Sequence, residues 1–168
     1  GRGFWIYDDL TPIHELSEGS KDKNVHMFEV EDNHKVLFSA MRRQGPLGKN
    51  PYYGTEIKYF IRDYNEEDSL ELKVEIRNEK SEVIRTFSSE GKYNSNRINL
   101  KQGYSTIKWG GDVDGFIPPK GVMMPRGSDG YMNSYNVKPG NYSVVFSYGD
   151  YQKESSFRIL PDPRQEIS

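Results

Sequence analysis

Alternation of apolar and polar positions is the dominant pattern in this chain, and it is clearest at VKPGNYSVVFSY, residues 137–148. Pro139 and Gly140 make a turn there. Tyr142, Val144, Phe146 and Tyr148 then fall on one face and Asn141, Ser143, Val145 and Ser147 on the other, as successive side chains of a strand must. So regular a strand is expected at the centre of a sheet. Residues 55–62 place Ile57, Tyr59 and Ile61 on one side, and residues 70–76 set Leu70, Leu72, Val74 and Ile76 against Glu71, Lys73 and Glu75. Together with 83–87, after a turn at 78–81, these segments read as a meander with one wet face. Residues 96–100 and 104–109 predict two more strands, the second with Ile107 and Trp109 on its core side. Gly149-Asp150 then reads as a two-residue hairpin turn into a closing strand over 151–160, which Pro161 and Pro163 stop. The short apolar runs at 25–30 and 35–40 fit edge strands.

The segments without alternation divide the chain. Residues 41–54, rich in Gly, Pro and Arg, read as an extended surface loop, and residues 110–136 as a long irregular insertion holding Met123, Met124, Met132, Tyr131 and Tyr135. At the start, Phe4, Trp5, Ile6 and Tyr7 form an apolar run, Thr11-Pro12 fits the start of a short helix through Leu16, and residues 17–24 are a polar linker. The expected organisation is therefore a strand, helix and linker over residues 1–24 and a single domain over 25–168. Its fold class is all-β: an immunoglobulin-like antiparallel β-sandwich of about seven strands, with a short N-terminal strand and helix appended.

Composition changes this picture in two ways. A mean hydropathy of −0.85 with 34% hydrophobic residues would suit a disordered chain, but 12 Tyr, 8 Phe and 2 Trp supply an aromatic core that such a chain lacks. A net charge of −2 gives no electrostatic footprint for nucleic acid, and no apolar stretch approaches the roughly 20 residues of a membrane span. The absence of Cys rules out disulfides, thiolate metal sites and Cys nucleophiles within these residues.

Candidate chemistry is sparse. Asp112, Asp114 and Gly115 resemble the start of a calcium loop, but Phe116, Ile117, Pro118 and Pro119 continue it without side-chain oxygens, so a turn is the simpler account and no metal or other cofactor is expected. Asp8 and Asp9 are adjacent on an expected strand and point oppositely, whereas glycoside hydrolysis needs carboxyls facing one another. His14, His26 and His34 lie on separate elements, and no Ser or Thr stands in a nucleophile elbow. No catalytic residue is expected. A sugar-stacking platform from Trp109, Arg126, Tyr131 and Tyr135 competes with a core role for Trp109 and an anchoring role for the two tyrosines. Phe4, Trp5, Ile6 and Tyr7 would be an exposed apolar edge in isolation, and soluble proteins avoid such edges, so these residues are expected to dock on another domain.

Several motifs in order resemble one family. GRGFWIYDDLTPIHEL resembles the GRGFW-x-x-DDL-x-P-x-x-x-L segment that ends the last propeller blade of bacterial sortilin-like BNR/Asp-box repeat proteins, often labelled as glycosyl hydrolases. NPYYGTEIKYFIRD is similar to the strand opening the domain after that propeller. LKVEIRNEKSEVIRTFS, GYSTIKWG, VKPGNYSVVFSYG and ILPDPR are similar to its later hairpin, strands and close. The resemblance covers nearly the whole chain. It implies an exported protein, periplasmic or at the cell surface, of a Bacteroidetes-like bacterium, in which this domain packs against an upstream β-propeller. No Asp-box occurs in these residues, so no propeller site transfers to them. The expected function is a non-catalytic structural or interaction module; the alternative is a carbohydrate-binding accessory module with a glycan surface at Arg126, Tyr131 and Tyr135.

Overall fold

A computed structural model describes residues 24–35, 54–65, 67, 70–117, 119 and 135–164. The expected strand at 1–10 and helix at 11–16, and most of the loop at 41–54, lie outside them. Eight strands are present among the described residues: β1 (Val25–Met27), β2 (Asn33–His34), β3 (Thr55–Ile61), β4 (Leu72–Arg77), β5 (Val83–Ser88), β6 (Gly103–Trp109), β7 (Gly140–Tyr148) and β8 (Tyr151–Leu160). They form a three-stranded sheet, β1-β3-β6, and a five-stranded sheet, β2-β8-β7-β4-β5. All pairs are antiparallel except β2 with β8. The chain is an all-β sandwich.

The alternation translates directly into burial. On β3, Thr55, Ile57, Tyr59 and Ile61 are buried while Glu56, Lys58 and Phe60 are half exposed, and on β4 Leu72, Val74 and Ile76 are fully buried. β7 is the middle strand of the larger sheet, with Val144, Phe146 and Tyr148 turned into the core. The hairpin joining it to β8 has two turn residues between the paired Tyr148 and Tyr151, and Gly149 takes the left-handed φ of 54° that a side chain disfavours. Aromatic rings fill the space between the sheets. Tyr59 and Phe146 meet across it at 5.5 Å, and Trp109 lies edge-on to both Tyr142 and Phe157 at 6.0 and 6.1 Å.

Two expectations fail. The segments at 55–62, 70–76 and 83–87 are not a meander: β3 pairs with β1 and β6 in the small sheet, while β4 and β5 pair in the large one. Alternation fixes which face of a strand is apolar and is silent on the partner, so a strand that crosses to the opposite sheet carries the same pattern as one that turns back. Residues 96–100 also form no strand. Arg97 makes a single bridge to Ser88, and Ile98 is buried as a plug, its N–H bonded to Ser88 O at 2.8 Å. Leu70, expected on β4, precedes it and is 43% exposed.

Both open sides of the sandwich are sealed by irregular chain. Along β8, the segment after β1 is tied down by Met27 N–H to Tyr151 Oη, Val30 N–H to Ser155 Oγ at 3.0 Å, and a two-pronged grip of Asp32 on Arg158. Along β5, Asn96 and Ile98 bond the backbone of Ser88 at one end, while Asp114 N–H bonds Ile84 O at 2.7 Å at the other. Along β5 these bonds occupy backbone edge groups that would otherwise invite pairing with another chain.

Candidate functional site

The β5 seam holds the largest buried charged side chain among the described residues. β5 puts Arg85 and Phe87 on its core face, and Arg85 is only 1% exposed. Its guanidinium lies 4.9 Å from the Phe87 ring centre. It reaches Asp112 at 3.3 Å, Asp114 at 3.2 Å and the carbonyl of Ser95. Asp114 also accepts the Thr86 N–H at 2.9 Å, and the Asp112 carbonyl accepts the indole N–H of Trp109 at 2.7 Å. The DVDG segment is thus spoken for: its carboxylates clamp a cation from the opposite sheet, which gives the turn its residue types. Arg85 was detectable in VIRTFS as an Arg of core parity, two residues before Phe87.

Asp112 pairs with Asn136 as a β-bridge, and Val113 and Val137 donate to the carbonyls of Tyr135 and Gly111. The insertion therefore leaves the sandwich through a hydrogen-bonded neck. Tyr135 stands at that neck and is 75% exposed, whereas Trp109 is fully buried, as its alternation with Ile107 requires. That removes Trp109 from any sugar platform. Arg126 and Tyr131 lie outside the described residues, as do Phe4, Trp5, Ile6, Tyr7, Asp8, Asp9 and His14. His26 packs edge-on against Phe28 at 4.9 Å, and His34 Nδ1 lies 3.1 Å from the carbonyl of Pro161, so the two rings serve different elements. Among the described residues, no three His, Asp or Glu side chains converge as a metal site requires.

Among the described residues, each carboxylate with a displaced titration is displaced downward. Lys153 hydrogen-bonds Glu29, Arg158 grips Asp32, and Lys73 with Arg77 flanks Glu75, holding all three below the ordinary carboxylate range. A general acid needs the opposite displacement. Because the folded values lie below the unfolded ones, near 4.5 for Glu and 3.8 for Asp, the stability these pairs contribute is present above that range and is lost as pH falls through the folded values. Melting temperature is therefore expected to decline below about pH 4.5, with a shallower decline in Lys153→Gln; an identical acid slope in the variant would refute the assignment. The effect should be modest, since these pairs are solvent-exposed. Burial pushes the Tyr59 phenol above its usual 10, partly offset by the neighbouring Ser105 hydroxyl, and burial also raises Tyr142.

Two concavities among the described residues bear on ligand binding. One, of about 510 Å³, lies on the outer face of the large sheet beside the β4–β5 turn. Two of its three acids are already engaged: Glu79 accepts from Asn141, and Asp32 from Arg158. The other, of about 440 Å³, lies at the β5–β6 seam. Fold and site together define an all-β sandwich with ion-paired seams. No protein-family model matches the chain, and no match is found among curated proteins or solved structures.

Proposed function

We propose that this chain is a non-catalytic structural and interaction module, an immunoglobulin-like sandwich that packs through Phe4, Trp5, Ile6 and Tyr7 against an upstream β-propeller of the same exported bacterial protein. Its setting would be the periplasm or cell surface of a Bacteroidetes-like organism. One observation supports the reading above others. The residues from Val25 to Ile159 supply a continuous core shared by both sheets, whereas the FWIY run stands in the sequence ahead of the first of them. Four consecutive apolar side chains in that position suit a surface of another domain. The distinctive GRGFW and DDL motifs around them carry the resemblance to post-propeller segments.

Replacing Phe4 and Trp5 by Ser tests the docking role. In this chain the double variant should melt within about 2 °C of the parent, as expected for substitutions outside a core. In a longer protein that includes the preceding domain, the same variant should become sensitive to protease at the junction. Unfolding of the 168-residue chain by the substitutions would instead make the run part of the sandwich core and overturn the proposal.

A further inference from the structure

The outer face of the small sheet carries an aromatic cluster that lies apart from the sandwich core. Register across β1, β3 and β6 aligns His26, Phe60 and Tyr104 in one row. All three point away from the core, because Met27, Tyr59 and Ser105 beside them face inward and are buried. Phe28 extends the cluster just beyond β1: its N–H bonds the Lys58 carbonyl at 3.0 Å, and its ring meets His26 at 4.9 Å and Tyr104 at 5.9 Å. It stands outside the core shared by both sheets, yet it is only 1% exposed. Lys58, on the same outward face, keeps only 14% of its side-chain exposure. Flanking rings close the sides of Phe28 and leave its outer side open, so two side chains this deeply buried on an outward face require further chain above them.

The row lies at the end of the sheet where residues 1–23 join it. Asn24 is clamped there to the end of β3: its carbonyl accepts from Arg62 N–H at 2.8 Å, and its side chain exchanges bonds with the backbone of Asp63 at 3.2 and 2.8 Å. Residues 36–53 and the insertion after Trp109 depart from the opposite end, where Asn33 bonds Thr55 at 2.7 Å and Thr55 pairs with Trp109. The turn after β3 is also at the near end, but Glu66, Asp68 and Ser69 in it are polar. Within residues 1–23, Ile13 and Leu16 are the apolar side chains nearest β1 in sequence. Three residues apart, they share a face of the short helix that TPIHEL predicts. Residues 17–23 can span up to about 25 Å, well beyond the roughly 10 Å from β1 to β6.

We propose that residues 10–16 pack on this outer face, with Ile13 and Leu16 over Phe28 and Tyr104. The packing is independent of what Phe4, Trp5, Ile6 and Tyr7 contact. One consequence rests on the docking reading: with that run on the preceding domain and residues 10–16 on the sandwich, Asp8 and Asp9 are the whole joint between them. A joint that short holds the two domains in one orientation.

Methyl-to-ring NOE measurements on the isotope-labelled 168-residue chain test the proposal. The methyl protons of Ile13 and Leu16 should show NOEs to the rings of Phe28 and Tyr104. Ile13→Ser with Leu16→Ser should shift the Phe28 ring resonances and lower the melting temperature by at least about 4 °C, whereas Phe4→Ser with Trp5→Ser leaves it within about 2 °C. An unchanged melting temperature in the Ile13 and Leu16 variant overturns the proposal. So do NOEs to Phe28 that come only from residues 36–53 or from the insertion, and these leave the docking reading standing. NOEs to that ring from Phe4, Trp5, Ile6 or Tyr7 overturn both, because the run would then cover this chain's own surface. Failure of the docking reading alone shows as a junction that stays protease-resistant in the longer Phe4 and Trp5 variant while the Ile13 and Leu16 NOEs persist.

Discussion

Arg85→Met is expected to destabilise the sandwich by about 3 kcal/mol, the lower end of the range for removing one partner of a buried ion pair. The guanidinium is the centre of the β5 seam: it ion-pairs with Asp112 and Asp114, bonds the Ser95 carbonyl and rests on Phe87. Met fills much of the same volume, so the loss reports chiefly on charge and hydrogen bonds rather than on a void. The lower end applies because the Asp112 and Asp114 side chains keep 21% and 37% of their exposure and water can partly solvate them once the cation is gone. For a chain of this length the melting temperature should fall by about 6–12 °C. Adding Asp112→Asn should recover part of that loss by removing one stranded charge. A loss below about 1 kcal/mol in urea or thermal melts would show that the seam is not held by the cation.

Trp109→Ala should cost more, about 3–5 kcal/mol, through the cavity left by a large aromatic side chain. Trp109 is fully buried at the end of β6, edge-on to Tyr142 of β7 and Phe157 of β8, so it joins the small sheet to the middle of the large one. Trp109→Phe separates ring packing from the indole hydrogen bond. It keeps much of the stacking, loses the 2.7 Å bond to the Asp112 carbonyl, and should cost about 1–3 kcal/mol. Trp109 and Arg85 both hold Asp112, one by its carbonyl and the other by its carboxylate, so their effects should couple. The double variant Trp109→Phe with Arg85→Met should be less destabilised than the sum of the two by about 0.5 kcal/mol or more. Strict additivity would mean that the two contacts act on separate parts of the neck.

Much of the fold was legible because strand alternation records burial residue by residue. The buried faces of β3, β4 and β7 and the Gly149-Asp150 hairpin all appear in the one-dimensional pattern. Trp109 was legible as core for the same reason. Residues 96–100 misled because Ile98 is buried by plugging a seam, and a single buried apolar residue in a polar stretch carries no period from which to tell a plug from a strand. Asp112 and Asp114 read from the sequence as a turn with an incomplete calcium-loop start, and nothing there pointed to Arg85 as their partner, which lies 27 residues before Asp112 and belongs to the other sheet. The β5–β6 cavity had no sequence signal at all. Its lining comes from β3, β5, β6 and the 94–101 segment, and none of these is distinctive alone.

By itself, then, the amino-acid sequence determined that the chain is all-β, that its core is aromatic, and that 137–148 lies at the centre of a sheet. Side-chain period and composition are local properties of the chain, and burial acts on them directly. Only the tertiary structure decided which strands share a sheet, that β3 leaves β4 for the opposite layer, and that the two open sides are closed by straps and by a buried Arg85. Those outcomes are set by pairings between segments far apart in the chain. Their free energy depends on how all the edges are satisfied at once, and no single stretch of residues encodes that.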